Sequence, residues 1–233
     1  QFGRPGGAAS LVTGLLTPVP GLQEITSEKG TLSESASTWP EGSLFGLIDR
    51  ALATTAVDRP FGEPFAALVC DDIGNTEVAD FIGVDDRGNQ RVVFIPAKWK
   101  TGTAGAGASG LYDVSGQALK NLAYLKADGQ ALPGAKTRYD KPWKLSGGEV
   151  PRKRIGPGSQ AFRALFEKVR GNPAASREVW LVVSGGILSK KAVDDAFENA
   201  NPASHVLQLF HLVLSLYAGC QSIGVELKIF CNP

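Results

Sequence analysis

Residues 65–100, FAALVCDDIGNTEVADFIGVDDRGNQRVVFIPAKWK, constrain the fold more than any other stretch of this chain. Three short apolar runs are separated by segments carrying the Gly and Asn that tight turns use for positive φ. Residues 66–70 form an unbroken run of four apolar residues and a cysteine, too short for a helix. Residues 77–84 set Val78, Phe81, Ile82 and Val84 around one acid, Asp80. Residues 91–98 lead from Val92, Val93, Phe94 and Ile95 into Lys98. The pattern predicts three strands, joined by DDIGN and DDRGN turns. Asp80 then falls in the middle of one strand and Lys98 at the end of its partner. A carboxylate and an ammonium side by side on a sheet form either a buried ion pair or the start of a metal site.

The flanking sequence supplies helices. Leu44, Phe45, Leu47, Ile48, Ala51 and Leu52 have helical spacing. So have the apolar residues of 111–125 and of 159–169. Residues 189–199 form a helix with Ser189 as N-cap, and 204–218 a long apolar one. Residues 178–183 and 225–230 read as buried strands. Residues 1–42 read as an irregular lead-in or linker, and 43–233 as one α/β domain. Between the third strand and the next helix, TGTAGAGASG reads as a mobile loop. It lacks the Gly-Lys-Ser/Thr ending of a phosphate-binding loop. The order of elements implies helices layered on a central mixed sheet.

Composition narrows the class. With 233 residues the chain is long enough for a substantial core, and 43% apolar with 20% charged residues is ordinary for a globular protein. No apolar run reaches the ~18–20 residues of a membrane span. A net charge of +1 excludes a strongly basic nucleic-acid protein by bulk charge, though not a local basic patch. Cys70, Cys220 and Cys231 have no metal-ligand spacing and read as buried free thiols of a reducing compartment. His205 and His211 do not share a helix face and read as structural. Beginning at Gln1 and containing no methionine, the chain reads as a domain cut from a longer polypeptide.

The segment EVADFI (77–82), a turn, and VVFIPAK (92–98) resemble the core of the PD-(D/E)xK nuclease superfamily, which has the restriction-endonuclease-like fold. There an aspartate on one strand is followed by an acid-any-lysine on the next. Gln117, with Tyr124 two turns on, is similar to the glutamine-tyrosine helix of some branches. The motif covers residues 77–98, and the looser order of elements covers roughly 43–230. The resemblance implies a three-layer α/β fold and a Mg²⁺- or Mn²⁺-dependent DNA endonuclease acting in restriction, repair or antiphage defence. It further implies a cytoplasmic setting, a helicase or sensor module in the same polypeptide, and a possible homodimer. Asp80 and the Ala97 carbonyl would be metal ligands, Lys98 the water-activating residue, and Gln117 a residue steering that lysine or a phosphate.

Position 96 departs from the pattern. The family has an acid two residues before the lysine, and this chain has Pro96, which offers no ligand and no ladder donor. Either the second acid has moved or the site is inactive and the fold only binds. Glu77 and Asp113 are the leading substitutes, with Asp71, Asp72 and Asp49 behind them. Asp113 lies one helical turn from Gln117. Glu77, three residues before Asp80, would fall on the opposite face of a continuous strand. Lys100 shares the face of Lys98, and with Arg152, Lys153 and Arg154 it is a candidate contact for a nucleic-acid backbone.

Overall fold

In the computed structural model, residues 6–53, 58–72, 76–145, 148–199 and 201–233 are described. Residues 73–75, which complete the first expected turn, lie outside them. An eight-stranded mixed sheet runs in the order β1 (Leu16–Pro18), β10 (Glu226–Cys231), β9 (Ser176–Gly185), β4 (Arg91–Ile95), β3 (Phe81–Asp85), β2 (Ala67–Cys70), β8 (Lys153–Ile155), while β5 (Ala97–Lys100) also pairs with β9. Contacts among β1, β10, β9, β4 and β5 are parallel, and those from β4 through β3 and β2 to β8 are antiparallel.

Side chains alternate across this sheet, so each face builds its own core. Val69, Ile82, Val92, Phe94, Val179 and Leu181 face one side. There they meet α1 (Gly6–Leu15), α3 (Ser109–Leu125), α4 (Ser159–Arg170), α5 (Lys190–Glu198) and α6 (Ser204–Gln221). Leu68, Cys70, Phe81, Val93, Ile95, Trp180 and Val182 face the other side, under α2 (Leu44–Ala51) and the hairpin β6 (Pro142–Leu145) and β7 (Gly148–Pro151). The result is the expected three-layer α/β arrangement. Burying about a dozen strand side chains on two faces, at roughly 1.5–3 kcal/mol each, fixes the register, because a one-residue slip would exchange the two cores. Gly83 is the one residue of β3 without a side chain, and the Phe65 ring fills its place: a Cβ there would meet that ring at 2.7 Å.

Three expectations change, and the local break that Pro96 implies is met. Residues 6–18 are not an irregular lead-in: Val12 and Leu16 are buried, and β1 is a sheet strand beside β10. The second strand begins at Phe81 rather than residue 77, which leaves Glu77 in the preceding turn. The third strand divides at Pro96 into β4 and β5. Phe81 pairs with Ile95, but the next pair would need an N–H that proline lacks, so β5 leaves β3 and continues along β9 alone. The segment after Lys100 is not a free loop either. Ala106 bridges to Leu188, and the Gly105 carbonyl accepts the Ser189 N–H at 3.0 Å. Ser189 caps α5 as expected, its Oγ accepting from Ala192 N at 3.3 Å.

Candidate metal centre

The division at Pro96 opens a notch at one end of the sheet. The Pro96 carbonyl accepts the Val182 N–H at 3.0 Å, so it faces β9. By the alternation of a strand, the N–H and C=O of Ala97 face the opposite way, into the notch. Asp80, the residue before β3, fills it: Oδ2 accepts the Ala97 N–H at 2.7 Å. Its carbonyl still extends the β2 ladder by accepting Asp71 N at 2.8 Å. Asp80 is therefore buried for a backbone reason as well as any chemical one.

Two further acids converge on it. One carboxylate oxygen from each of Asp72, Glu77 and Asp80 lies within 4.8 Å of the other two. The turn between β2 and β3 is held in place by polar anchors. Asp71 Oδ2 accepts Val78 N at 2.9 Å. The buried Arg138 guanidinium lies 2.9 Å from Asp71 Oδ1 and donates to the Thr76 carbonyl at 3.0 Å. From α3, Asn121 Nδ2 donates to the Val78 carbonyl at 2.8 Å. One helical turn earlier, Gln117 Nε2 donates to Glu77 Oε1. Asp72 Oδ2 receives both the Trp143 indole N–H at 2.7 Å and the Lys29 ammonium at 2.7 Å.

The electrostatics follow from this crowding. Burial, with the Ala97 N–H opposing it and Asp72 adding to it, pushes Asp80 up to about 7. Burial and then the neighbouring Asp80 push Glu77 up to about 8. Burial also works against ionisation of Asp72, but the Lys29 ammonium outweighs it and holds that carboxyl below its ordinary value. Near neutral pH the cluster thus keeps Glu77 mostly protonated and Asp80 near the midpoint of its titration, with Asp72 ionised. Three hard oxygen donors in such a space, with the Ala97 carbonyl on the same edge, form a donor set that could hold a hard divalent cation.

Of the two leading substitutes for the missing acid, Glu77 is the one the fold brings to Asp80. Starting β3 at Phe81 removes the strand-face objection to it. Asp72, in the turn, joins the cluster as well. Asp113 is exposed on α3 and lies outside the cluster. Asp49 is taken by Arg154, whose guanidinium grips both its oxygens at 2.7 and 2.6 Å, and Asp71 by Arg138. Lys98 does not pair with Asp80. Its Nζ lies 2.9 Å from Glu28 Oε2, and that oxygen also accepts the Trp99 N–H at 3.4 Å.

Of residues 152–154, the last two open β8, and Arg152 is half-buried with NH1 on the Asp72 carbonyl at 2.7 Å. Lys153 and Lys100 are the exposed members of the expected backbone-contact set. Glu28 and Lys29 lie outside the strand motif, and only their juxtaposition in a Ser/Thr/Gly-rich stretch marks them in the sequence. Comparison with protein-family models, with curated proteins and with solved structures gives no match.

Proposed function

We propose that this chain carries a metal-dependent phosphodiester hydrolase centre, a DNA endonuclease of the restriction-endonuclease-like type. The observation that carries the reading is the convergence of Asp72, Glu77 and Asp80 within 4.8 Å on a notch edged by Ala97, with Lys98 one residue further along the same strand. Asp80, Glu77, Asp72 and the Ala97 carbonyl would hold Mg²⁺ or Mn²⁺, which when bound supplies Lewis-acid polarisation of a phosphoryl oxygen and a more acidic water. Asp80 is fixed by the Ala97 N–H, and Glu77 by Gln117. Lys98, aligned by Glu28, orients the attacking water and offsets charge developing on the phosphate.

A second reading has its own support: Pro96 stands where the family has an acid, and Lys29 already supplies Asp72 with a positive partner. On that reading the fold binds nucleic acid or a partner protein without cutting. Incubating supercoiled plasmid and single-stranded DNA with Mg²⁺ or Mn²⁺ separates the two. Metal-dependent cutting lost in both Asp80→Ala and Lys98→Ala supports the nuclease. Binding without cutting by the wild-type chain selects the second reading.

A further inference from the structure

We infer that Lys29 is a second cationic contact for the phosphodiester backbone, beside Lys98, and that Glu28 is the positioning residue that aligns both; this rests on the nuclease reading above. The dipeptide is held in place by its backbone. Leu44 N and Phe45 N, the first donors of α2, are unsatisfied by the helix itself. They bond to the Ser27 and Glu28 carbonyls at 2.9 and 3.0 Å. The start of α2 thus fixes where the Glu28 and Lys29 side chains begin.

The side chains form a row of alternating charge. Lys98 Nζ lies 2.9 Å from Glu28 Oε2. Lys29 Nζ lies 3.8 Å from Glu28 Oε1 and 2.7 Å from Asp72 Oδ2. Glu28 therefore sets the spacing of two ammonium groups along the edge of the acid cluster. The Phe45 and Trp143 rings, with centroids 5.1 and 5.8 Å from Lys29 Nζ, hold that ammonium without neutralising it.

An ammonium has three donors. Asp72 is the only partner of Lys29 within hydrogen-bonding distance among the described residues, and Asp72 Oδ2 has a second donor in Trp143. The Lys29 side chain keeps 24% of its surface open to solvent. A nucleic-acid phosphate presented to the cluster offers anionic oxygens to the donors that Asp72 and Glu28 leave free on the two lysines.

The test is binding of a fluorescent DNA duplex in EDTA across a salt series, with thermal melting of every variant as a folding control. Wild type is compared with Lys29→Met, Lys29→Gln, Lys29→Arg, Lys98→Met and Glu28→Gln. Loss of one phosphate contact lowers the slope of log affinity against log salt by about one. That loss is expected in both neutral Lys29 variants and in Lys98→Met, with the slope kept in Lys29→Arg. Glu28→Gln should keep the slope, because both ammonium groups remain; binding weaker than wild type despite the removed negative charge is the mark of lost alignment, and binding as tight or tighter overturns the positioning role of Glu28. An unchanged slope in Lys29→Met and Lys29→Gln, with only a lowered melting temperature, makes Lys29 an internal counter-ion and overturns the inference alone. Absence of DNA binding and cleavage by the wild-type protein overturns the nuclease reading and this inference with it.

Discussion

Asp80 Oδ2 accepts the Ala97 N–H at 2.7 Å across the break that Pro96 makes between β4 and β5. The carboxylate thereby replaces the strand partner that Ala97 lost when β5 left β3. Asp80→Asn keeps an acceptor for that N–H and removes the charge, whereas Asp80→Ala leaves a buried donor unpaired. We expect both variants to abolish cleavage. Only Asp80→Ala should lose about 1–3 kcal/mol of stability in urea unfolding. Equal stability of the two would mean that the bond contributes nothing to the sheet.

The acid cluster makes the metal-free protein sensitive to pH. Glu77 and Asp80 titrate near 8 and 7 in the folded chain, against about 4 when unfolded. The folded state binds the extra protons, so the stability these groups contribute is complete below about 4 and is lost as pH rises through 7 to 8. The wild-type melting temperature should fall over that range relative to a Glu77→Gln/Asp80→Asn variant. Added Mg²⁺ should raise the wild-type melting temperature more at pH 8.5 than at pH 6, because binding must displace those protons. An increment from Mg²⁺ that does not change with pH would show that the cluster is not the metal's site.

The sequence discloses the parts of this arrangement that depend on local pattern. The β3–β4 hairpin follows from alternation and from the Gly88 turn, whose φ is +46°. The break at Pro96 follows from a missing donor. Glu77 is misplaced on a strand face because the apolar pattern around it continues through Val78. The true strand start is set by the polar anchors Arg138 and Asn121, more than 40 residues away in sequence. The sequence of α1 contains three glycines, Gly6, Gly7 and Gly14, so its helical propensity is poor. Burial of Val12 outweighs that propensity. Glu28 and Lys29 are only faintly marked in the sequence for the same physical reason as Arg138: their partners exist only after α2, β5 and the β2–β3 turn have come together.

Gln117 should tune the metal without supporting the fold. It is part-buried on α3, and Nε2 holds Glu77 Oε1. A hydrogen bond behind a ligand orients it, and its loss typically costs about 10–100-fold in metal affinity or activity. Gln117→Leu should therefore weaken Mn²⁺ binding by about tenfold in calorimetry and leave the unfolding midpoint near that of wild type. A large loss of stability at unchanged affinity would make Gln117 a packing residue.

The buried pair beneath the cluster gives the opposite signature. Asp71 is fully buried, and Arg138, 4% exposed in its side chain, lies 2.9 Å from Asp71 Oδ1. Burial raises Asp71 to about 6 even though Arg138 opposes that rise. Arg138→Met would strip a buried carboxylate of its ionic partner, leaving the Val78 N–H and the neighbouring Tyr139 hydroxyl, a loss of the order of 3–5 kcal/mol. Because removing the guanidinium raises the Asp71 pKa further, the variant can stay neutral at pH 5 but must ionise or hold a costly proton at pH 8. The destabilisation measured by urea unfolding should therefore be larger at pH 8 than at pH 5. Adding Asp71→Asn should recover part of it at pH 8 and little at pH 5. A loss independent of pH would mean that Arg138 acts through its bonds to the Thr76 and Asp71 carbonyls rather than through the Asp71 carboxylate, since those contacts carry no titrating group.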